Sequence, residues 1–233
     1  MSGVVGSASA IGIAVANGAY YLATISQALD LSRNTVSHVS YDSLSNVGGI
    51  GVLLFNKASS GTIVQDLPIS ANSVTDVGGD AIRLENHATY SQVSQTGTIA
   101  ANLATGNGGI GLSLYNSVTS AGSTLFISLS VTGNNLSFDD GGLESSASAA
   151  GGALVDLHAS LNGNTIDHNT TDGIFVAASG AGASQTVSLG ANDTISFNTG
   201  FGVHLVTLGA GTIFFTTDGA TIAGNSAGNF TGP

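Results

Sequence analysis

The sequence predicts an all-β solenoid of about seven stacked rungs, and three observations point to it. A small residue followed by an apolar, any, apolar triplet recurs at Gly12-Ile13-Ala14-Val15, Gly51-Val52-Leu53-Leu54, Ala81-Ile82-Arg83-Leu84, Gly111-Leu112-Ser113-Leu114, Gly142-Leu143, Gly173-Ile174-Phe175-Val176 and Gly202-Val203-His204-Leu205. The successive starts are 39, 30, 30, 31, 31 and 29 residues apart. A period near thirty, held along the chain, marks a stack of equivalent units rather than one globular core. A second phrase follows about twenty residues downstream each time: Asn34-Thr35-Val36, Asn72-Ser73-Val74, Asn102-Leu103, Asn134-Asn135-Leu136, Asn164-Thr165-Ile166, Asp193-Thr194-Ile195 and Ala220-Thr221-Ile222. Finally, apolar residues alternate with small or polar ones, the two-residue period of half-buried strands. Thirty-four glycines and abundant Ser, Thr and Asn disfavour helix.

Taken in order, residues 1–10 read as a lead-in, 11–226 as one solenoid domain and 227–233 as a tail. The opening residues lack the cationic start of a signal peptide. No amphipathic capping helix precedes the first repeat, so the expectation is either a piece of a longer protein or a chain that assembles through bare ends. The long first step places an insertion around His38 to Val47. Each unit should run strand, turn, second strand, polar turn and Gly-rich corner. Two aliphatic columns should point inward: Ile13, Val52, Ile82, Leu112, Leu143, Ile174, Val203, and Val36, Val74, Leu103, Leu136, Ile166, Ile195, Ile222. Asn34, Asn72, Asn102, Asn134 and Asn164 should form an amide ladder at a bend, each amide bonding to the next. The low-complexity segments Leu143 to Gly152 and Ala177 to Ser184 read as surface loops.

Runs such as Asn164-Thr-Ile-Asp-His-Asn169-Thr-Thr-Asp-Gly-Ile174-Phe-Val and Asp193-Thr-Ile-Ser-Phe-Asn198-Thr-Gly-Phe-Gly-Val203-His-Leu resemble the repeats of the pectate-lyase-like proteins. The resemblance covers nearly the whole chain and implies a right-handed parallel β-helix. It also implies a secreted or cell-surface setting and, in some relatives, polysaccharide lyase or hydrolase chemistry. The string Asn169-Thr170-Thr171-Asp172-Gly173 is similar to the Asn-Thr-Asp-Gly motif of polygalacturonases, with one extra Thr, and Asp139-Asp140 to their Asp pair. Here the pair comes first in sequence, and the Gly-His-Gly and Arg-Ile-Lys motifs are absent. No catalytic residue is therefore carried over.

Only 7% of residues are charged, and three cations stand against fourteen acids for a net charge of −11. That balance excludes an electrostatic footprint for nucleic acid or anionic lipid. No apolar run reaches the ~18–20 residues of a spanning helix, so membrane insertion is not expected. The absence of cysteine excludes a disulfide or thiolate-metal design. The five histidines form no metal-ligand spacing, and no nucleophile elbow or phosphate loop is present.

Two groups of acids, Asp139-Asp140-Glu144 and Asp76-Asp80-Glu85, could supply oxygens to calcium. The competing and preferred reading is solvated turn acids, with no cofactor. Arg83 sits on the outward register of the first phrase, in the column Ala14, Leu53, Arg83, Ser113, Glu144, Phe175, His204. With Asp139, Asp140 and Asp172 it forms the candidate carbohydrate-contact set. Tyr20, Tyr21, Phe126, Phe214 and Phe215 lie in runs apolar on both registers, so one side must be covered by a loop or a partner. The leading expectation is a structural or adhesive module whose partners are other protein chains or cell-surface glycans, with homo-oligomer or filament formation. The alternative is a carbohydrate-active enzyme or a non-catalytic polysaccharide binder.

Overall fold

A computed structural model describes residues 11–40 and 49–232. The chain is a parallel β-solenoid of three sheets with eight, eight and seven strands, and helix is absent among the described residues. A representative turn uses Ile82–Thr89 for the first sheet, Gln92–Ala100 for the second and Leu103–Thr105 for the third. The pairing joins Ile13 to Val52, then Ile82, Leu112, Leu143, Ile174 and Val203, so the recurring triplet and the first sheet share one register. Five of the seven in this column are buried outright at 0–1% exposure, Leu143 is at 2%, and Ile13 on the first rung is half-buried.

The long first step is also explained. Ser37 pairs with Thr75 and Val52 with Ile82, so the extra residues fall between Ser37 and Val52. Val39 and Gly49 both accept from the next turn's Gly78 and Gly79, which confines the insertion to 40–48, almost all of it outside the described residues.

Three expectations need correction. The second column passes through Ala104, not Leu103: Ala104 pairs with Val74 and Leu136 and is fully buried, while Leu103 is exposed. A one-residue slip moves a side chain to the opposite face of a strand. The small residue opening each first phrase explains why alanine is tolerated there. A Cβ on Gly12, Gly51, Gly142, Gly173 or Gly202 would strike Val36, Val74, Ile166, Ile195 or Ile222. Ala81 can carry its Cβ because the facing position in its turn is the shorter Ala104. The supposed loops are mostly strand. Gly141–Ala149 and Ile174–Ser179 belong to the first sheet and Ala183–Leu189 to the second. Their small residues are core: Ser145, Ala147, Ala178 and Ala183 are buried, and Ser145 Oγ donates to buried Gln185 at 2.6 Å. Gly228–Thr231 pairs with Phe201–Leu208, so the ladder continues beyond residue 226.

The second sheet, a full third of each turn, carries no recurring sequence phrase because its inward positions are mixed. In the first turns they hold Gln27, Gln65 and Gln95, cross-linked to Asn17, Asn56 and Asn86 at 2.8–3.1 Å. Later turns put Ile127 and Leu157 in the glutamine place.

Candidate functional site

The outer face of the first sheet gathers the charged and aromatic groups. Strand alternation sends Arg83, Glu85 and His87 outward from Ile82–Thr89, and the next strand adds Tyr115 in register with Glu85. Arg83 lies 3.3 Å from Glu85 and 3.8 Å from Asp80 through different nitrogens, and its guanidinium carbon sits 4.6 Å from the Tyr115 ring centre. The Glu85 contact is close but poorly aligned, leaving Arg83 Nε buried without a hydrogen-bond acceptor. Glu85 meets His87 at 2.6 Å. That bond, with the Arg83 charge behind it, holds the Glu85 carboxyl below its ordinary range against the opposing effect of burial. Burial, together with the Glu144 carboxylate facing its hydroxyl, pushes Tyr115 up to about 12. Glu144 also accepts from Ser146 Oγ at 3.1 Å.

Beside this cluster is a groove of about 230 Å³, lined by Arg83, Glu85, His87 and Tyr115 on one side and by Asn116, Ser117, Ser146, Ala147, Ser148, Ala177 and Ser179 along its length. It exists because, in the two register columns headed by Glu85 and His87, the later strands offer only Ser146, Ser148, Ala177 and Ser179 where the preceding strands offer Glu, His and Tyr.

The other candidate acids are not brought into this groove. Asp139 is 1% exposed and belongs to a second asparagine ladder, Asn107, Asp139, Asn169, Asn198, Asn225, parallel to the expected one. Its Oδ1 accepts from the Asn107 backbone and side-chain amides, both at 2.9 Å, and its own N–H donates to Asn169 Oδ1 at 2.9 Å. Its Oδ2 has no hydrogen-bond partner. The glycine column identifies the place of that atom. Gly142, Gly173 and Gly202 face the amide nitrogens of Asn169, Asn198 and Asn225, and Gly111 faces Asp139 Oδ2. A carboxylate oxygen thus stands where the ladder requires a donor. Desolvation lifts Asp139 to about 7, the Asn107 bonds opposing it.

Asp140 is exposed and accepts from Thr170 Oγ1 at 2.8 Å. Asp172 accepts from the Phe201 N–H at 2.7 Å through one oxygen and pairs with His204 Nδ1 at 2.8 Å through the other. Asp80 holds the Ile110 N–H in the same way at 2.9 Å. These acids therefore anchor corners on separate turns. Among the described residues no group of three His, Cys, Asp or Glu side chains is placed to hold a metal ion.

The apolar candidates are likewise dispersed. Tyr20, Tyr21, Phe126 and Phe214 are exposed. Phe126 and Phe214 occupy neighbouring outward columns of the second sheet but are three strands apart, with Asp156, His158, Ser184 and Thr186 between them. Phe215 takes the inward register, half-buried, with its ring 5.8 Å from Phe230.

Sequence reasoning missed an exposed ring stack at the left-handed corner after the third sheet. Phe138, His168 and Phe197 have φ of 61°, 56° and 56°, and centroid separations are 5.0 and 5.4 Å. Each lies four residues past the first residue of the second phrase, an offset that could have revealed it.

No protein-family model matches the chain, and no characterised protein or solved structure matches it. The solenoid class rests on the geometry above, and a pectate-lyase-like kinship has no support beyond it.

Proposed function

We propose that this chain is a structural or adhesive β-solenoid module of the cell exterior whose outer faces contact other protein chains or glycans. The observation that carries the reading is the employment of its acids. Asp139 sits inside the amide ladder, and Asp80 and Asp172 each hold a backbone N–H of the next turn. Asp139 and Asp172, grouped by sequence with Arg83 as a carbohydrate-contact set, instead maintain a regular stack. Large apolar side chains stand outward at intervals along it, as Phe126, Leu154 and Phe214 do on the second sheet. Buried apolar anchors supply most association energy and rim charges little. The extracellular setting rests on the likeness of the repeats to those of secreted solenoids.

Sedimentation velocity and adhesion to glycan-coated surfaces test this reading. Phe126→Ser with Phe214→Ser should weaken self-association or adhesion at least tenfold, while Asp140→Asn with Asp172→Asn should leave it within twofold. Acidic polysaccharides, with or without calcium, should yield no unsaturated products and no new reducing ends. Cleavage lost on Asp140→Asn or Asp172→Asn would replace the proposal with the second reading, a carbohydrate-active enzyme.

A further inference from the structure

The groove on the first sheet has the properties of a sugar subsite, and those properties select the kind of sugar. One face of the Tyr115 ring is covered by the Arg83 guanidinium, 4.6 Å from the ring centre, coming from the strand before it. Its hydroxyl end lies beside the Glu144 carboxylate. In the strand after it the residue in register is Ser146, too small to cover the second face. The ring is thus pinned from one side and open to the groove on the other. Ser117, Ser148, Ala177 and Ser179 complete the lining with short side chains. A flat ring wall beside short, mostly apolar side chains matches the C–H face of a pyranose ring, and Ser117, Ser148 and Ser179 lie within the lining to meet its hydroxyls. The volume, about 230 Å³, is below the ~300–1,000 Å³ of sites for drug-sized ligands, so the groove holds about one ring of a longer chain.

Charge decides between sugar classes. Arg83 is already shared among Asp80, Glu85 and Tyr115. Glu85 lines the groove and engages both Arg83 and His87, so a uronic acid would meet a carboxylate and an arginine and a histidine that are already paired. A like charge brought against such a site is penalised rather than steered in.

We propose that this groove binds one pyranose unit of a neutral glycan, stacked on the open face of Tyr115, and that it discriminates against acidic sugars. This deepens the glycan arm of the function proposed above, and it concerns a different face from Phe126 and Phe214. One stacked ring with a few hydroxyl contacts supports millimolar to high-micromolar affinity.

The test is an NMR titration of the labelled full chain with cellotetraose, mannotetraose, galactotetraose and tetragalacturonate. A neutral tetramer should shift Tyr115, Ser146 and Ser148 resonances saturably, while tetragalacturonate should bind at least tenfold more weakly. Tyr115→Ala should abolish the shifts, and Tyr115→Phe, which keeps the stacking face, should retain binding within about threefold. An unchanged backbone spectrum away from the groove in both variants separates lost stacking from lost folding. No saturable shift with any neutral tetramer, preference for tetragalacturonate, or equal binding by Tyr115→Ala would each overturn the proposal. Self-association that persists in such a failure would leave the adhesive reading standing, because it does not pass through Tyr115.

Discussion

Two corner ladders run along the solenoid, each carries one aspartate among its amides, and the two aspartates are held differently. Asp193 closes the first ladder. Its Oδ1 accepts from the Asn164 backbone and side-chain amides at 2.8 and 2.9 Å, and its Oδ2 accepts from the Gly190 N–H at 2.9 Å. The next position in the column is Ala220, so nothing requires Asp193 to donate. Asp139 stands in the middle of the second ladder with amides on both sides. Its Oδ1 is served as well as that of Asp193, but its Oδ2 occupies the donor seat and has no donor of its own. The comparison teaches that a carboxylate suits the end of an amide ladder when a backbone N–H is at hand. Within the ladder it fits as a neutral acid, an asparagine isostere whose O–H replaces an N–H.

The largest effect should come from breaking the second ladder next to Asp139. Asn169 accepts from the Asp139 N–H and donates to the Leu136 carbonyl at 3.1 Å and to Asn198 Oδ1 at 2.9 Å. Asn169→Leu keeps the size and removes all three bonds. Asn198 Oδ1 keeps the Asn169 backbone N–H at 3.0 Å, so two buried partners, the Asp139 N–H and the Leu136 carbonyl, are stranded. At ~1–3 kcal/mol each, a loss of about 2–6 kcal/mol is expected. Chemical denaturation followed by circular dichroism measures it. A loss under about 1 kcal/mol would mean that the ladder is ornamental to stability.

Replacing Asp139 by Asn should do the reverse, and only at the right pH. The carboxyl titrates near 7 in the fold against 3.8 for the free group. The folded state therefore holds the proton more tightly, and its advantage is complete below about pH 4. It declines as pH rises from there to about 7 and is gone above that. The interval corresponds to about 4 kcal/mol at 1.36 kcal/mol per pH unit. The native chain should lose stability across this window, while Asp139→Asn should lack that component and be the more stable protein at pH 8. Parallel pH profiles for the two proteins would show that Oδ2 finds a donor in solution. A carbon-detected NMR titration of the Asp139 carboxyl reads the same event directly.

Much of this was legible in the sequence, and the boundary has physical causes. In a parallel stack every turn repeats one geometry, so a position demanding a small residue or an amide demands it each time. That made the period, the first aliphatic column and the first ladder readable. Reading failed where residue type was allowed to overrule register. Leu103 is the larger aliphatic, but the neighbouring columns place the inward residue two after each ladder asparagine, which is Ala104. Ser145 and Ala147 looked like loop residues, yet here small side chains fill core positions. Asp139 looked like a surface acid because it is charged. Its place five residues past Asn134 matches that of Asn107, Asn169 and Asn198 past the preceding ladder residues, and that count assigns it to the interior. The groove beside Tyr115 could not be read at all, since it depends on which side chains are absent from adjacent strands.

The smallest effect should come from the same substitution at the other aspartate. Asp193→Asn leaves Oδ1 free to keep both Asn164 bonds but puts an amide nitrogen where Oδ2 received the Gly190 N–H. Two donors then face each other, and turning the amide over would only move the conflict to Asn164. The Gly190–Asp193 turn also has its own backbone bond, Asp193 N–H to the Gly190 carbonyl at 3.1 Å, which limits the damage. The Gly190 N–H also donates to the Leu161 carbonyl at 2.9 Å and is not stranded, so the expected result is a loss of about 0.5–1.5 kcal/mol, the net worth of one hydrogen bond. Near pH 8 the two Asp→Asn changes should thus have opposite signs, destabilising at 193 and stabilising at 139. Equal signs would show that what matters is the charge removed, not the donor or acceptor seat that each oxygen occupies.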